Sequence, residues 1–276
     1  MRGTVLHALA LVVLGLAVLK ALVWWLEPRT AFFPIRGVQE TPADLGLPYE
    51  DLRIPTADGE TLHGWWLRHP SPRAQVVFWH GNGGNLSLWL DIVAGLFRRG
   101  FTVLAVDYRG YGASTGRPSE RGLYLDAEAG TRYFLERLRD RESPVVYWGR
   151  SIGAPVAARA AARTPPDGLI LESPFPDVRS VIAGNPVMWF LSLFSGYRFP
   201  TTEFLRDYRG PLLVVHGDGD RIIPFELGRL VFEQANEPKT LKKLPGADHN
   251  DLHLVDPAAY WEAIDAFLRE AFPGAG

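Results

Sequence analysis

Apolar and polar positions alternate along this chain in three distinct ways. The first is continuous: from Thr4 to Leu26 it reads TVLHALALVVLGLAVLKALVWWL, with His7 and Lys20 its only strongly polar members. Those 23 residues would make a helix about 34 Å long, enough to cross a hydrocarbon core. Lys20 lies near one end, where its stem can snorkel to the head groups. Trp24 and Trp25 fall where an interfacial aromatic belt would sit. A cleaved signal peptide needs a shorter apolar core and a small-x-small cleavage site, and the bulky stretch LKALVWWLEPRTAFFP lacks one. A buried core helix is the remaining alternative. The expectation is a single uncleaved membrane anchor over 1–27. Its N-terminus would stay inside and the body would be translocated to the extracytoplasmic side.

After a Pro- and Gly-containing stretch at 28–48, expected to be a linker, the second pattern sets in. Asp51–Ile54 and Leu62–Leu67, separated by TADGE, predict a hairpin. Short apolar runs follow at Val76–Trp79, Thr102–Val106, Val145–Trp148, Leu169–Leu171 and Leu212–Val215, and a later short strand is expected at Thr240–Leu244. Uninterrupted runs of this kind suit strands buried on both faces of a parallel sheet. Between them, Leu86–Arg99, Arg121–Arg139 and Ala154–Arg163 carry helical spacing, and Gly100 supplies a C-terminal stop for the first. A hairpin followed by alternating strands and helices predicts an α/β fold with right-handed crossovers and helices on both faces of a mostly parallel central sheet. The third pattern interrupts the second. Between Glu172 and Pro211 no strand-like run occurs, and Val187, Met188, Trp189, Phe190, Leu191, Leu193 and Phe194 crowd its centre. An apolar excursion of that length, about 174–209 within a body of 49–276, predicts a lid.

Composition narrows the class. The chain has 276 residues, 47% apolar and 22% charged, with a formal net charge of −2. This fits a folded body and excludes a disordered or multi-span chain. With no basic excess there is no footprint for nucleic acid. The absence of cysteine excludes disulfides, thiol catalysis, thiolate zinc sites and iron–sulfur clusters.

The candidate chemistry lies at strand ends. Gly149-Arg150-Ser151-Ile152-Gly153 is a G-x-S-x-G placed between a predicted strand and a predicted Ala-rich helix, the context in which a serine is held exposed on a strained turn. A serine hydroxyl needs a base, and the base an orienting carboxylate. His216-Gly217-Asp218-Gly219-Asp220 follows one later strand and Gly246-Ala247-Asp248-His249-Asn250 follows the next, which gives the chain order Ser, Asp, His. Strand ends of this kind form the sites of open α/β sheets. His249 is the candidate base. Asp218 and Asp220 compete for the acid, and Asp248 is disfavoured because neighbouring side chains rarely face each other. His249 and His253 resemble a zinc pair only superficially, since HNDLH lacks the glutamate of H-E-x-x-H. No metal and no cofactor is expected. His80 and His216, each before a glycine at a strand end, are expected to shape their loops. The Gly-rich HGNGGN at 80–85 matches neither a dinucleotide fingerprint nor a P-loop. It suits an oxyanion hole, with backbone N–H groups from Asn82 and Ile152.

These segments together resemble the α/β-hydrolases, and specifically the Bem46/YfhR-type serine hydrolases grouped with prolyl aminopeptidase-like enzymes. The matching pieces are HGNGGN (80–85), DYRGYGASTGRPSERGLYLDAEA (107–129), GRSIG (149–153), LESPF (171–175), HGDGDRIIP (216–224) and GADHND (246–251). The resemblance spans essentially all of 50–270 and includes the N-terminal anchor. It implies that Asp220, in the H-G-x-x-D position, is the acid of a Ser151–His249–Asp220 triad. One departure is RFPTTEFLRDY, where the family commonly carries a Phe-Asp-Ser-type element. The expected activity is cleavage of carboxylic esters through an acyl-enzyme, with Met188, Trp189, Phe190 and Phe194 meeting an apolar or lipid acyl group. An acyl-thioesterase or depalmitoylase, a peptidase, and a membrane-anchored interaction module with a vestigial site are the alternatives.

Overall fold

The computed structural model describes residues 2–138 and 143–273. Arg139, where the second predicted helix was expected to end, and the last three residues of the expected catalytic body lie outside them. Eight strands form the central sheet: β1 (Glu50–Pro55), β2 (Thr61–Leu67), β3 (Ala74–Trp79), β4 (Phe101–Val106), β5 (Val145–Arg150), β6 (Gly168–Glu172), β7 (Leu212–Gly217) and β8 (Lys239–Leu244). Their spatial order is β8-β7-β6-β5-β3-β4-β2-β1. Only β2 runs against the others, pairing antiparallel with both β1 and β4. The order reverses direction at β3, which lies between β4 and β5 with Trp79 opposite Gly149. Two strand ends are thereby brought side by side at the place where open α/β sheets form clefts.

The apolar runs are continuous because both sheet faces are covered. In β3, Val77 and Trp79 point into one core and Val76 and Phe78 into the other. Helices α3 (Glu120–Arg137), α4 (Gly153–Arg163) and α8 (Phe225–Gln234) pack on the first face; α2 (Leu90–Arg98) and α10 (Pro257–Ala271) pack on the second. Each large buried side chain in these layers contributes about 1.5–3 kcal/mol. Helix α2 starts at Leu90, later than the Leu86 that periodicity suggests. Asn85 Oδ1 accepts the Ser87 amide at 2.9 Å and Asp107 Oδ1 accepts the Leu86 amide at 2.9 Å, so this stretch is drawn into a turn instead.

At the N-terminus, α1 (Arg2–Ala31) is the one helix among the described residues long and apolar enough to cross a membrane, and none of its most apolar window is buried. It extends past the expected boundary at 27. The following stretch, expected as a linker, is tied to the body. Phe33–Pro34 pairs with Gly83–Gly84, and Arg36 bridges to Gly112. The reason is a set of backbone hydrogen bonds that composition does not reveal, among them Ile35 to Gly84 at 2.8 Å and Gly37 to Gly112 at 2.9 Å. Between β6 and β7 the chain makes three short helices, α5 (Val178–Ile182), α6 (Pro186–Ser192) and α7 (Thr201–Leu205); α9 (Leu252–Val255) precedes α10.

The start of α4 is pressed against the end of β3. A β-carbon on Gly153 would lie 2.1 Å from the Trp79 carbonyl oxygen, a backbone atom with little room to retreat. Gly153→Ala is therefore expected to destabilise the fold by about 3 kcal/mol, measured as a lowered denaturant midpoint with an unchanged m-value.

Candidate active site

Ser151 occupies the turn from β5 into α4 with φ +55°, in the left-handed region that costs an ordinary residue about 1–3 kcal/mol. Its surroundings enforce that conformation. The Ser151 amide donates to Glu172 O at 2.9 Å, and the Ala154 amide donates to Ser151 O at 2.9 Å. A β-carbon on Gly149 would fall 2.1 Å from Gly153 O, so the turn closes only around a bare backbone.

Two other loops reach the same rim. His249, in the loop after β8, places Nε2 2.9 Å from Ser151 Oγ and Nδ1 2.7 Å from Asp220 Oδ2. Asp220, after β7, is itself oriented: its Oδ1 accepts the amides of Ile222 at 2.9 Å and Ile223 at 2.7 Å. His216 Nε2 stands 2.9 Å from Ile223 O and 3.2 Å from Asp220 Oδ2, which makes it a second imidazole at the same carboxylate. Burial pushes the Asp220 pKa up, but hydrogen bonds from His216, His249 and the Ile223 amide outweigh burial and hold the carboxyl well below the usual range.

The competing aspartates are engaged elsewhere. Asp218 accepts the Gly246 amide at 2.7 Å and pairs with Lys243 at 3.3 Å. Asp248 pairs with Arg221 and accepts the His249 amide at 2.7 Å, facing away from the imidazole. His253 packs beside the Tyr260 ring, and among the described residues no group of His, Asp and Glu side chains converges as metal ligands would.

The loop after β3 is held from several sides. His80 O accepts the Tyr108 hydroxyl at 2.8 Å, and the Tyr111 hydroxyl donates to Asn82 Oδ1 at 2.8 Å. Asn82 Nδ2 donates to Ala31 O, at the last turn of α1, at 2.7 Å. Among the described residues, neither the Asn82 amide nor the Ile152 amide donates to a protein acceptor.

What lies beneath left little trace in the sequence. Arg150 and Glu172 are opposite each other on β5 and β6, and both are buried completely. Arg150 Nη2 donates to His249 O at 2.9 Å, while Nη1 lies 3.4 Å from Glu172 Oε2. Glu172 Oε1 also accepts from Trp148 Nε1 at 3.0 Å and from the Tyr260 hydroxyl. The guanidinium thus ties the main chain of His249 to the sheet. A charged residue inside the G-x-S-x-G was the one available signal. The excursion residues sit differently: Met188, Trp189 and Phe190 are exposed on α6, and Phe194 meets Phe190 edge to face at 5.6 Å. The open cavity of about 410 Å³ beside His249 is lined instead by Arg221, Ile222, Asp248, Asn250 and Asp251.

A family model described as serine aminopeptidase, S33, matches residues 70–208. An uncharacterized protein of Mycobacterium tuberculosis is 32% identical over 98% of this chain and 96% of its own length. The lysophosphatidylserine lipase ABHD12 of Macaca fascicularis is 33% identical over 62% of this chain and 48% of the lipase. Among solved structures, the Pyrococcus furiosus esterase Pf2001 superposes with a TM-score of 0.73 at 24% identity, covering 87% of this chain and 97% of the esterase.

Glu172→Leu strands the buried Arg150 charge and is expected to cost about 3–5 kcal/mol of stability, read by chemical denaturation. The depressed Asp220 pKa carries its own sign. Its stabilisation is complete above the unfolded-state value, about 4, and is lost as pH falls toward the lower folded-state value. The stability advantage of the native protein over Asp220→Asn should therefore be level from pH 5 to 7 and shrink below about pH 4. Denaturation curves across that range check it.

Proposed function

Because this chain belongs to the α/β-hydrolase superfamily, in the family whose model is described as serine aminopeptidase, S33, we propose that it is a serine hydrolase cleaving carboxylic esters through an acyl-enzyme. The continuous hydrogen-bonded line from Ser151 Oγ through the His249 imidazole to Asp220 carries this reading. In it, Ser151 Oγ attacks the acyl carbonyl carbon as its proton passes to His249 Nε2. Asp220 stays ionised, keeps the proton on Nδ1 and stabilises the imidazolium. The carbonyl oxygen, now negative, is met by the amides of Asn82 and Ile152, neither of which donates to a protein acceptor among the described residues. The tetrahedral intermediate collapses as His249 returns the proton to the leaving oxygen, which departs as an alcohol. Water, deprotonated by His249, then attacks the acyl-serine and releases the acid. No metal or cofactor enters this scheme.

An apolar acyl ester, of lipid origin, is the substrate class this reading favours. Its support is the exposed apolar α6, the membrane-length α1 and a lysophosphatidylserine lipase among the relatives. An aminopeptidase would need a carboxylate free to meet the substrate's ammonium. The acidic groups beside His249 are occupied: Asp248 by Arg221, and Asp251 Oδ1 by the Asp248 amide at 2.6 Å. Hydrolysis of acyl-thioesters uses the same three side chains, and a substrate panel separates it from ester cleavage.

A fluorophosphonate probe should label the native protein and leave Ser151→Ala unlabelled. On p-nitrophenyl esters from acetyl to palmitoyl, Ser151→Ala should lose about 10⁶-fold in kcat and Asp220→Asn about 10⁴-fold, both with native circular dichroism. Full activity in Ser151→Ala would sink the proposal, and faster turnover of matched acyl-thioesters would redirect it to a thioesterase.

A further inference from the structure

The end of α1 is fastened to the rim of the site. Glu27, 9% exposed, has a carboxylate that accepts the Gly196 amide at 3.1 Å, the Tyr197 amide at 3.3 Å and the Ser195 hydroxyl. One turn later, Ala31 O takes the Asn82 side-chain amide, and buried Phe32 packs edge to face on Tyr197 and Phe199 at 5.5 and 6.3 Å. The helix therefore meets both the loop after β3 and the return strand of the α5–α7 excursion. A membrane helix on a flexible tether would leave the body free to turn; this one sets which side of the body faces the bilayer.

The side it selects is apolar. From Ser180 to Tyr197 no side chain is charged, and Arg179 and Arg198 bracket the stretch. On α6 and just after it, Val187 is 67% exposed and Leu193 47%, alongside the exposed Met188, Trp189 and Phe190. Leu193 is two residues from the Ser195 held by Glu27. Phe33, paired with Gly83, and Leu88, which covers Gly84, add exposed apolar surface to the same end of the molecule. Apolar surface concentrated in this way marks an interaction site. Trp24 and Trp25, exposed one turn before Glu27, stand at the level where a spanning helix meets the head groups.

We propose that α6 is a membrane-contact helix: the uncharged segment 180–197 lies in the interfacial layer of the leaflet from which α1 emerges, and the site takes its ester from that leaflet. Glu27 is the fastener that holds the segment there. Arg179 meets lipid phosphate at one edge, while Arg198 at the other is paired with Glu203. The occupant of the apolar face is the bilayer surface, because the face continues directly from the end of a helix that spans it. This rests on the reading of α1 as an anchor and of Ser151 as nucleophile. It adds a surface, an orientation and a route for substrate.

The chain has no cysteine, so Val187→Cys and Leu16→Cys each give a single labelling site. Each full-length variant is labelled with an environment-sensitive fluorophore and reconstituted into phosphatidylcholine vesicles. Both positions should show blue-shifted emission, and position 187 should be quenched by spin labels placed near the head groups. Leu16 in lipid with position 187 in water overturns the proposal alone; both in water overturns the anchor and the proposal together. The double variant Val187→Glu, Leu193→Glu should lose about tenfold or more in turnover of a fatty-acyl ester carried in vesicles and keep native turnover of soluble p-nitrophenyl butyrate. Equal loss on both substrates, or on neither, overturns it. If position 187 inserts while Ser151→Ala stays active, the surface stands and the hydrolytic reading falls.

Discussion

A turn with no space for a β-carbon on either flank governs the site. Ser151 is held at φ +55° because β5 ends against α4 so closely that Gly149 and Gly153 are the only residues their positions admit. The strain stored at Ser151 is offset by the packing around it: the Trp79 backbone on one side, the Glu172 carbonyl on the other. The side chain that results stands above the sheet, where loops from β7 and β8 can reach it. The same closeness brings the loop after β3 beside the serine, since Trp79 and Gly149 are cross-strand neighbours. Backbone torsional strain at one residue and the convergence of distant loops are two consequences of one packing arrangement.

Electrostatics completes what sterics begin. Asp220 receives two backbone amides and faces two imidazoles, so its charge persists despite burial. Beneath it, Arg150 and Glu172 form a fully buried pair in which Glu172 Oε1 engages Trp148 and Tyr260 and Arg150 Nη2 engages the His249 carbonyl. Such pairs are poor sources of stability but strict about geometry, because a shifted partner leaves a charge unpaired in a medium that cannot solvate it. Here the strictness falls on the main chain of His249, the group whose position decides whether the imidazole meets the serine.

The N-terminal segment joins this arrangement to its surroundings. Backbone pairing of Phe33–Pro34 with Gly83–Gly84, together with the contacts of Glu27 and Ala31, fastens the end of α1 to the loop after β3 and to the excursion between β6 and β7. Asn82, in the loop after β3, donates its side-chain amide to the helix end.

Much of this was legible along the chain, and the reasons differ by feature. Strands buried on both faces leave unbroken apolar runs, so the sheet and its helices were visible, as were the G-x-S-x-G between strand and helix and the membrane-length run at the start. Local spacing disfavoured Asp248, next to His249 in the chain, but left Asp218 and Asp220 open, since both stand on the loop after one strand. Only the folded chain distinguishes them, by satisfying Asp218 with Gly246 and Lys243 and Asp248 with Arg221 while Asp220 faces the imidazole. The Arg150–Glu172 pair exists through the register of β5 against β6, and the fastening of Glu27 to 195–197 joins residues far apart in the chain. Periodicity reports what a residue buries, because burial repeats with the local helix or strand. It is silent on partners, because a hydrogen bond or ion pair between distant segments depends on how whole elements are set against each other.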